Sequence, residues 1–171
     1  MLVTAMGTIA HADSILDKLG APADSKTAMV RGGDVQAVIK PSADQVAPGQ
    51  DVGVTAEFTI APGWHIYGAP LPKSYTPTTI AFDNGVVAKQ SIDFPKPEMV
   101  SFASLGETLP VYKDSVHATG KLMLRPDLKP GDYKLSGKVS FQECSDTICK
   151  LPQSLAFAIP ITITAPVAVP R

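Results

Sequence analysis

The sequence predicts an all-β protein folded as an immunoglobulin-like β-sandwich, and three observations predict it. Apolar and polar residues alternate with a period of two in several segments, turn residues separate those segments, and 16 prolines are spread along the 171 residues. Alternation of this kind places one face of a strand on a core. Proline breaks helices and is confined to turns and sheet edges. Roughly eight or nine short strands at sandwich spacing follow.

Residues 1–34 stand outside that pattern and read as a loosely structured N-terminal extension. The opening MLVTAMGTIAHA joins an apolar stretch to Ala10-His11-Ala12, which suits a signal-peptidase site, but it has no basic segment ahead of it. A remnant of an export signal and an ordinary chain terminus both fit. Asp13 can cap a short helix through Ile15, Leu16 and Leu19, stopped by Gly20. The small, polar run APADSKTAMVRGGD after it reads as a linker.

The sandwich is expected over residues 35–165. In DVGVTAEFTI, Val52, Val54, Ala56, Phe58 and Ile60 face one way, and Thr55, Glu57 and Thr59 the other. The pattern recurs with Val116, Ala118, Leu122 and Leu124, with Tyr133, Leu135, Val139 and Phe141, and with Leu155, Phe157, Ile159, Ile161 and Ile163. Ala61-Pro62-Gly63, Asp83-Asn84-Gly85 and Lys129-Pro130-Gly131-Asp132 supply the turns. The last residues, 166–171, read as a linker toward something further.

Composition narrows the function. Hydrophobic residues make up 44% and charged residues 18%, which is the balance of a globular domain. Fifteen basic residues against sixteen acidic ones, with no block of like charge, remove the electrostatic footprint of a nucleic-acid binder. No apolar run approaches the roughly 20 residues that span a bilayer.

Chemistry concentrates in FQECSDTICKLP, which holds both cysteines, Cys144 and Cys149. Alternation through Phe141 puts Gln142 and Cys144 on one face, opposite Phe141 and Glu143, and Ser145-Asp146-Thr147 is turn-like. Three readings are open. A disulfide closing so short a loop contributes about 2 kcal/mol, against about 4.7 for a loop of a hundred residues, so it would be a poor staple. Short local pairs are also the form that redox-active disulfides take. A metal site would need His65 and His117 as well, but the spacing is wider than in most zinc knuckles and His117 alternates onto the solvent face. Neither a C-x-x-C nor a helix N-terminus is present to lower a thiol pKa, so exchange would need a partner bringing its own activated cysteine.

Three stretches carry a family resemblance: GWHIY at Gly63–Tyr67, SLGETLPVYKDSV at Ser104–Val116, and the cysteine segment. In their order and spacing, over residues 35–165, the chain resembles the N-terminal periplasmic domain of the thiol:disulfide interchange protein DsbD family. The resemblance implies an immunoglobulin-like, monomeric thiol:disulfide oxidoreductase domain in the periplasm, possessing no metal or organic cofactor. It would take reducing equivalents from a membrane-linked electron donor. It would pass them to thioredoxin-fold proteins such as a disulfide isomerase or a cytochrome c maturation reductant. Cys149 would form the mixed disulfide and Cys144 resolve it. A loop within residues 101–106 would cap the pair through Phe102 or Leu105, and Tyr67 would line the site. The chain departs from the family pattern in cysteine spacing and cap spacing, which leaves both cap residues as candidates. Trp64 has a plainer reading as core, and Tyr112 as a sheet residue. The alternative from another class is a non-enzymatic sandwich that binds proteins or sugars around a structural disulfide.

Overall fold

A computed structural model describes residues 26–103 and 106–165. The signal-like opening, the helix expected after Asp13, the tail 166–171 and Leu105 lie outside the described residues. The rest is all-β. Thirteen strands run in the order β1 (Ala28–Gly32), β2 (Val35–Pro41), β3 (Gln45–Val46), β4 (Asp51–Ile60), β5 (His65–Tyr67), β6 (Thr79–Phe82), β7 (Val87–Asp93), β8 (Glu98–Phe102), β9 (Glu107–Tyr112), β10 (Ser115–Leu124), β11 (Gly131–Phe141), β12 (Glu143–Cys144) and β13 (Gln153–Ile163). Among the described residues no helix is long and apolar enough to cross a membrane.

Two sheets make the immunoglobulin-like sandwich. One is antiparallel in the order β1-β2-β4-β10-β7, and the other runs β3-β13-β11-β6, with β3 parallel to β13. The alternating residues meet between them: Ile39, Phe58, Leu122 and Leu124 from the first sheet, Leu135, Val139, Ile159 and Ile161 from the second, all buried. Each such side chain contributes about 1.5–3 kcal/mol of burial, before the entropy of ordering is subtracted.

The extension expected to be loose up to Asp34 needs correcting. Ala28–Gly32 is a strand, paired in register with β2 around a two-residue Gly33–Asp34 turn. The inward positions are Ala28, Val30 and Gly32, two of them small, while Met29 faces solvent with Arg31, so the apolar period is weak. Gly33, at φ 55°, takes the left-handed conformation that such a tight hairpin requires. The strand count also exceeds eight or nine, because β1 adds one and the chain changes sheets and leaves short pieces at β3, β5 and β12.

A third sheet, β12-β5-β9-β8, lies at one end. Its two faces do different work. Ile66 and Tyr112 turn into the main core, whereas Tyr67, Phe102, Leu109, Val111 and Cys144 form a separate apolar cluster. That second cluster positions the cysteines.

Candidate functional site

The cysteine segment is a hairpin closed at three levels. The Lys150 amide donates to the Glu143 carbonyl at 3.0 Å, Cys144 and Cys149 form a single antiparallel bridge, and the Ser145 amide donates to the Ile148 carbonyl at 2.8 Å. The sulfurs are bonded, with the Cα atoms 4.1 Å apart. Exposure divides the pair. Cys144 is 1% exposed and belongs to the apolar cluster, while Cys149 is exposed on the surface beside Ile148 and Leu151, which are 58% and 85% exposed.

Aromatic rings pack behind the disulfide. The fully buried Tyr67 brings its hydroxyl to 3.7 Å from Cys149 Sγ. Burial first, and the charge of Glu107 second, push the phenol above its ordinary range, so it stays a neutral donor. Tyr75 leans on the Tyr67 ring at 5.1 Å between centroids, and its own hydroxyl donates to Glu107 at 2.7 Å. His65 stacks on Phe102 at 4.9 Å and meets the edge of Tyr67 at 5.6 Å. In the strand register His65 lies opposite Cys144.

The other side of the hairpin is polar. Glu143, fully buried, accepts from the Asp34 amide at 2.9 Å and from Gln153 Nε2 at 3.2 Å, and pairs with Lys150 Nζ at 3.0 Å. Lys150 also reaches Asp34 at 2.6 Å and sits 4.0 Å above the Trp64 ring. Its ammonium is held above the ordinary lysine range by the hydrogen bond to Asp34 first and to Glu143 second. Glycine at position 33 is required for this closure, because a Cβ there would lie 1.8 Å from Glu143 Oε1. Gln142 ties the hairpin to the loop before β6, accepting from the Thr76 amide at 3.1 Å and donating to the Lys150 carbonyl at 3.2 Å.

The family model described as "Thiol:disulfide interchange protein DsbD, N-terminal" matches residues 35–160. The chain belongs to this DsbD N-terminal family. Among solved structures it is similar to the N-terminal periplasmic domain of ScsB from Proteus mirabilis, at 17% identity and a TM-score of 0.57, covering 78% of this chain and 49% of that one. The chain thus spans about half the length of that relative. Weaker likenesses are to a family 123 glycoside hydrolase from Clostridium perfringens (12% identity, TM-score 0.41, 79% and 28% covered) and to the GAE domain of yeast GGA1 (9%, 0.42, 77% and 97%). No curated protein matches the chain.

The structure brings Cys144, Cys149, Tyr67 and Phe102 of this DsbD-family domain together in one place. Phe102 is 7% exposed, at the end of β8, inside the span expected to hold a cap. Trp64 is half-buried, packed on the main core but covered by Lys150, so it is less enclosed than a core tryptophan. Tyr112 is a sheet residue whose hydroxyl donates to the Pro95 carbonyl at 2.7 Å. His65 and His117 do not converge: His117 is exposed on β10, 4.0 Å from Glu57, while His65 is buried. Among the described residues no group of three or more histidine, cysteine, aspartate or glutamate side chains could hold a metal.

Alternation holds across the cysteine segment, but it does not reveal what is buried. Glu143 and Cys144 do face opposite ways, with Glu143 on the side of Phe141, but the strand breaks at Gln142 into a sheet whose two faces are both covered there, so both residues are buried. Glu143, Lys150, Asp34, Gln142 and Tyr75 escaped the sequence reading. The available signal was the symmetry of an acid directly before the first cysteine and a base directly after the second.

Proposed function

We propose that this domain relays reducing equivalents in the periplasm, taking them from a membrane-linked dithiol donor and passing them to thioredoxin-fold proteins. The asymmetry of the cysteine pair carries the reading: one sulfur is open to a docking partner and the other is shielded. A donor thiolate attacks Cys149 Sγ, the Cys144–Cys149 bond breaks, and Cys144 leaves with the electron pair and takes a proton. The donor's second thiolate then attacks the donor sulfur of the mixed disulfide and frees Cys149. In the forward step Cys149 attacks the acceptor's disulfide, and Cys144 resolves the mixed disulfide to restore the internal bond. Two electrons move each way.

The apolar Ile148 and Leu151 beside Cys149 give a partner something to bury around the sulfur. Phe102 is the cap, closing the aromatic side of the pair. Membership of the DsbD family supports both the chemistry and the compartment.

A redox titration by thiol trapping, with a C144S variant incubated with an oxidised thioredoxin-fold protein, tests the proposal. A readily reduced pair and a mixed disulfide trapped through Cys149 are expected. A bond that stays closed below about −300 mV and traps nothing makes the pair a structural staple instead.

A further inference from the structure

His65 is a buried base that stands outside the polar network holding the hairpin. It is 3% exposed, and among the described residues its Nε2 has no hydrogen-bond partner. Leaving a buried polar atom orphaned is costly, and such atoms call for an explanation.

Its placement suggests one. His65 and Cys144 are direct partners across the β5–β12 ladder, so both side chains leave the same face of the small sheet. Cβ atoms of directly opposed residues lie about 4.5–5.5 Å apart. The rings that hold the imidazole, Phe102 and Tyr67, belong to the same apolar cluster as Cys144. Imidazole and sulfur therefore share one compartment with little water. Lys150, the nearest base in sequence, serves the opposite face.

A buried Cys144 needs such a neighbour. To resolve a mixed disulfide it must be a thiolate, yet burial disfavours the charged form of a thiol. We propose that His65 is the base that takes the proton from Cys144 during resolution, an inference that rests on the relay reading. With Cys149 joined to a partner sulfur, the Cys144 thiol passes its proton to His65 Nε2 and attacks Cys149 Sγ. The Cys144–Cys149 bond forms and the bond to the partner breaks. The partner sulfur leaves with the electron pair and receives the proton in turn.

The groups facing His65 suit this role. Asp146, in the cysteine loop, favours the imidazolium that forms, while Lys113, in the turn after β9, opposes it. Tyr67, Cys144 and Glu107, which lies opposite Phe102 in the β8–β9 ladder, are other titratable side chains on this face of the small sheet, while Glu143 on β12 and Tyr112 on β9 belong to the main-core face. Burial outweighs Asp146 and holds the imidazole below its ordinary range, so it is a free base at neutral pH.

The test mixes the reduced full chain with one equivalent of 4,4′-dithiodipyridine and follows pyridinethione release from about pH 5 to about pH 10.5. The first phase reports attack by Cys149, and the second reports resolution by Cys144. In H65F and H65Q the ratio of second to first rate should fall about 100-fold near neutral pH. The gap should close above about pH 9, where a thiol ionises unaided. C144S should keep the first phase and lose the second. A second phase unchanged in both variants, or slowed by one constant factor at every pH, would overturn the assignment, because misplaced sulfurs would slow all pH values alike. Wild-type protein that shows no first phase would sink the relay reading itself, and the base with it.

Discussion

The two faces of the small sheet β12-β5-β9-β8 treat polar groups in opposite ways. Toward the main core, Glu143 lies beside Ile66 and is satisfied by Asp34, Gln153 and Lys150. Toward the aromatic cluster, among the described residues, His65 Nε2 has no partner, and the Tyr67 hydroxyl meets the sulfur of Cys149 at 3.7 Å. A satisfied buried network rigidifies what it holds, and unmet groups are where chemistry remains available. The same ten-residue hairpin is thus anchored by one face and reactive on the other.

Breaking the anchored face should have the largest effect. In E143A the Asp34 amide and Gln153 lose their acceptor and Lys150 loses a counter-charge. Lys150 is partly exposed and keeps Asp34, so the main cost is the unmet hydrogen-bonding groups, about 1–3 kcal/mol, which a urea midpoint reads directly. E143Q should lose less, because it preserves the shape and an acceptor for the Asp34 amide. A loss below about 1 kcal/mol in E143A would mean that the polar face does not hold the hairpin, and the contrast between the two faces would collapse.

The uneven legibility of the sequence follows the same division. Long strands such as β4 and β10 bury one face against a single sheet, so their alternation reads directly, as Val52 through Ile60 shows. The cysteine pair was legible as well, because two thiols so close in sequence admit few roles. Glu143 was not legible. A period-two reading assumes one buried and one solvated face, and at Gln142 the chain leaves β11 for the small sheet, where both Glu143 and Cys144 are covered. One partner of Glu143 is also remote, Asp34 being 109 residues away, in a stretch that read as linker. His65 was noticed only as a metal ligand. Its place opposite Cys144 is a fact of strand pairing, which no local pattern encodes.

On the reactive face, Y67F sharpens the comparison by removing one hydroxyl and no volume. The phenol stays neutral because burial, then Glu107, raises its pKa, so it can donate to a Cys149 thiolate once the pair is reduced. Losing that donor should disfavour the reduced form by about 1 kcal/mol. The midpoint potential should then become more negative by about 20 mV. An unchanged potential would leave Tyr67 as packing alone.

The smallest expected effect is on the pH dependence of stability, and it tests whether the reactive face is dry. Burial lowers the native pKa of His65 below the value near 6.5 that an unfolded chain shows, despite the opposing charge of Asp146. Between those two values the unfolded state binds more protons than the native state, so stability rises with pH across that window. The His65 contribution is therefore complete above about pH 6.5 and is lost as pH falls through the native pKa. Urea midpoints from pH 8 to 5 should show wild type losing stability relative to H65F in the acidic range. Exposed His117 is common to both proteins and cancels in the difference. A flat difference would mean that the imidazole gains its proton without penalty, in contact with water. A reversed slope would mean that Asp146 dominates and that His65 already carries a proton near neutrality, which would disqualify it as a base toward Cys144.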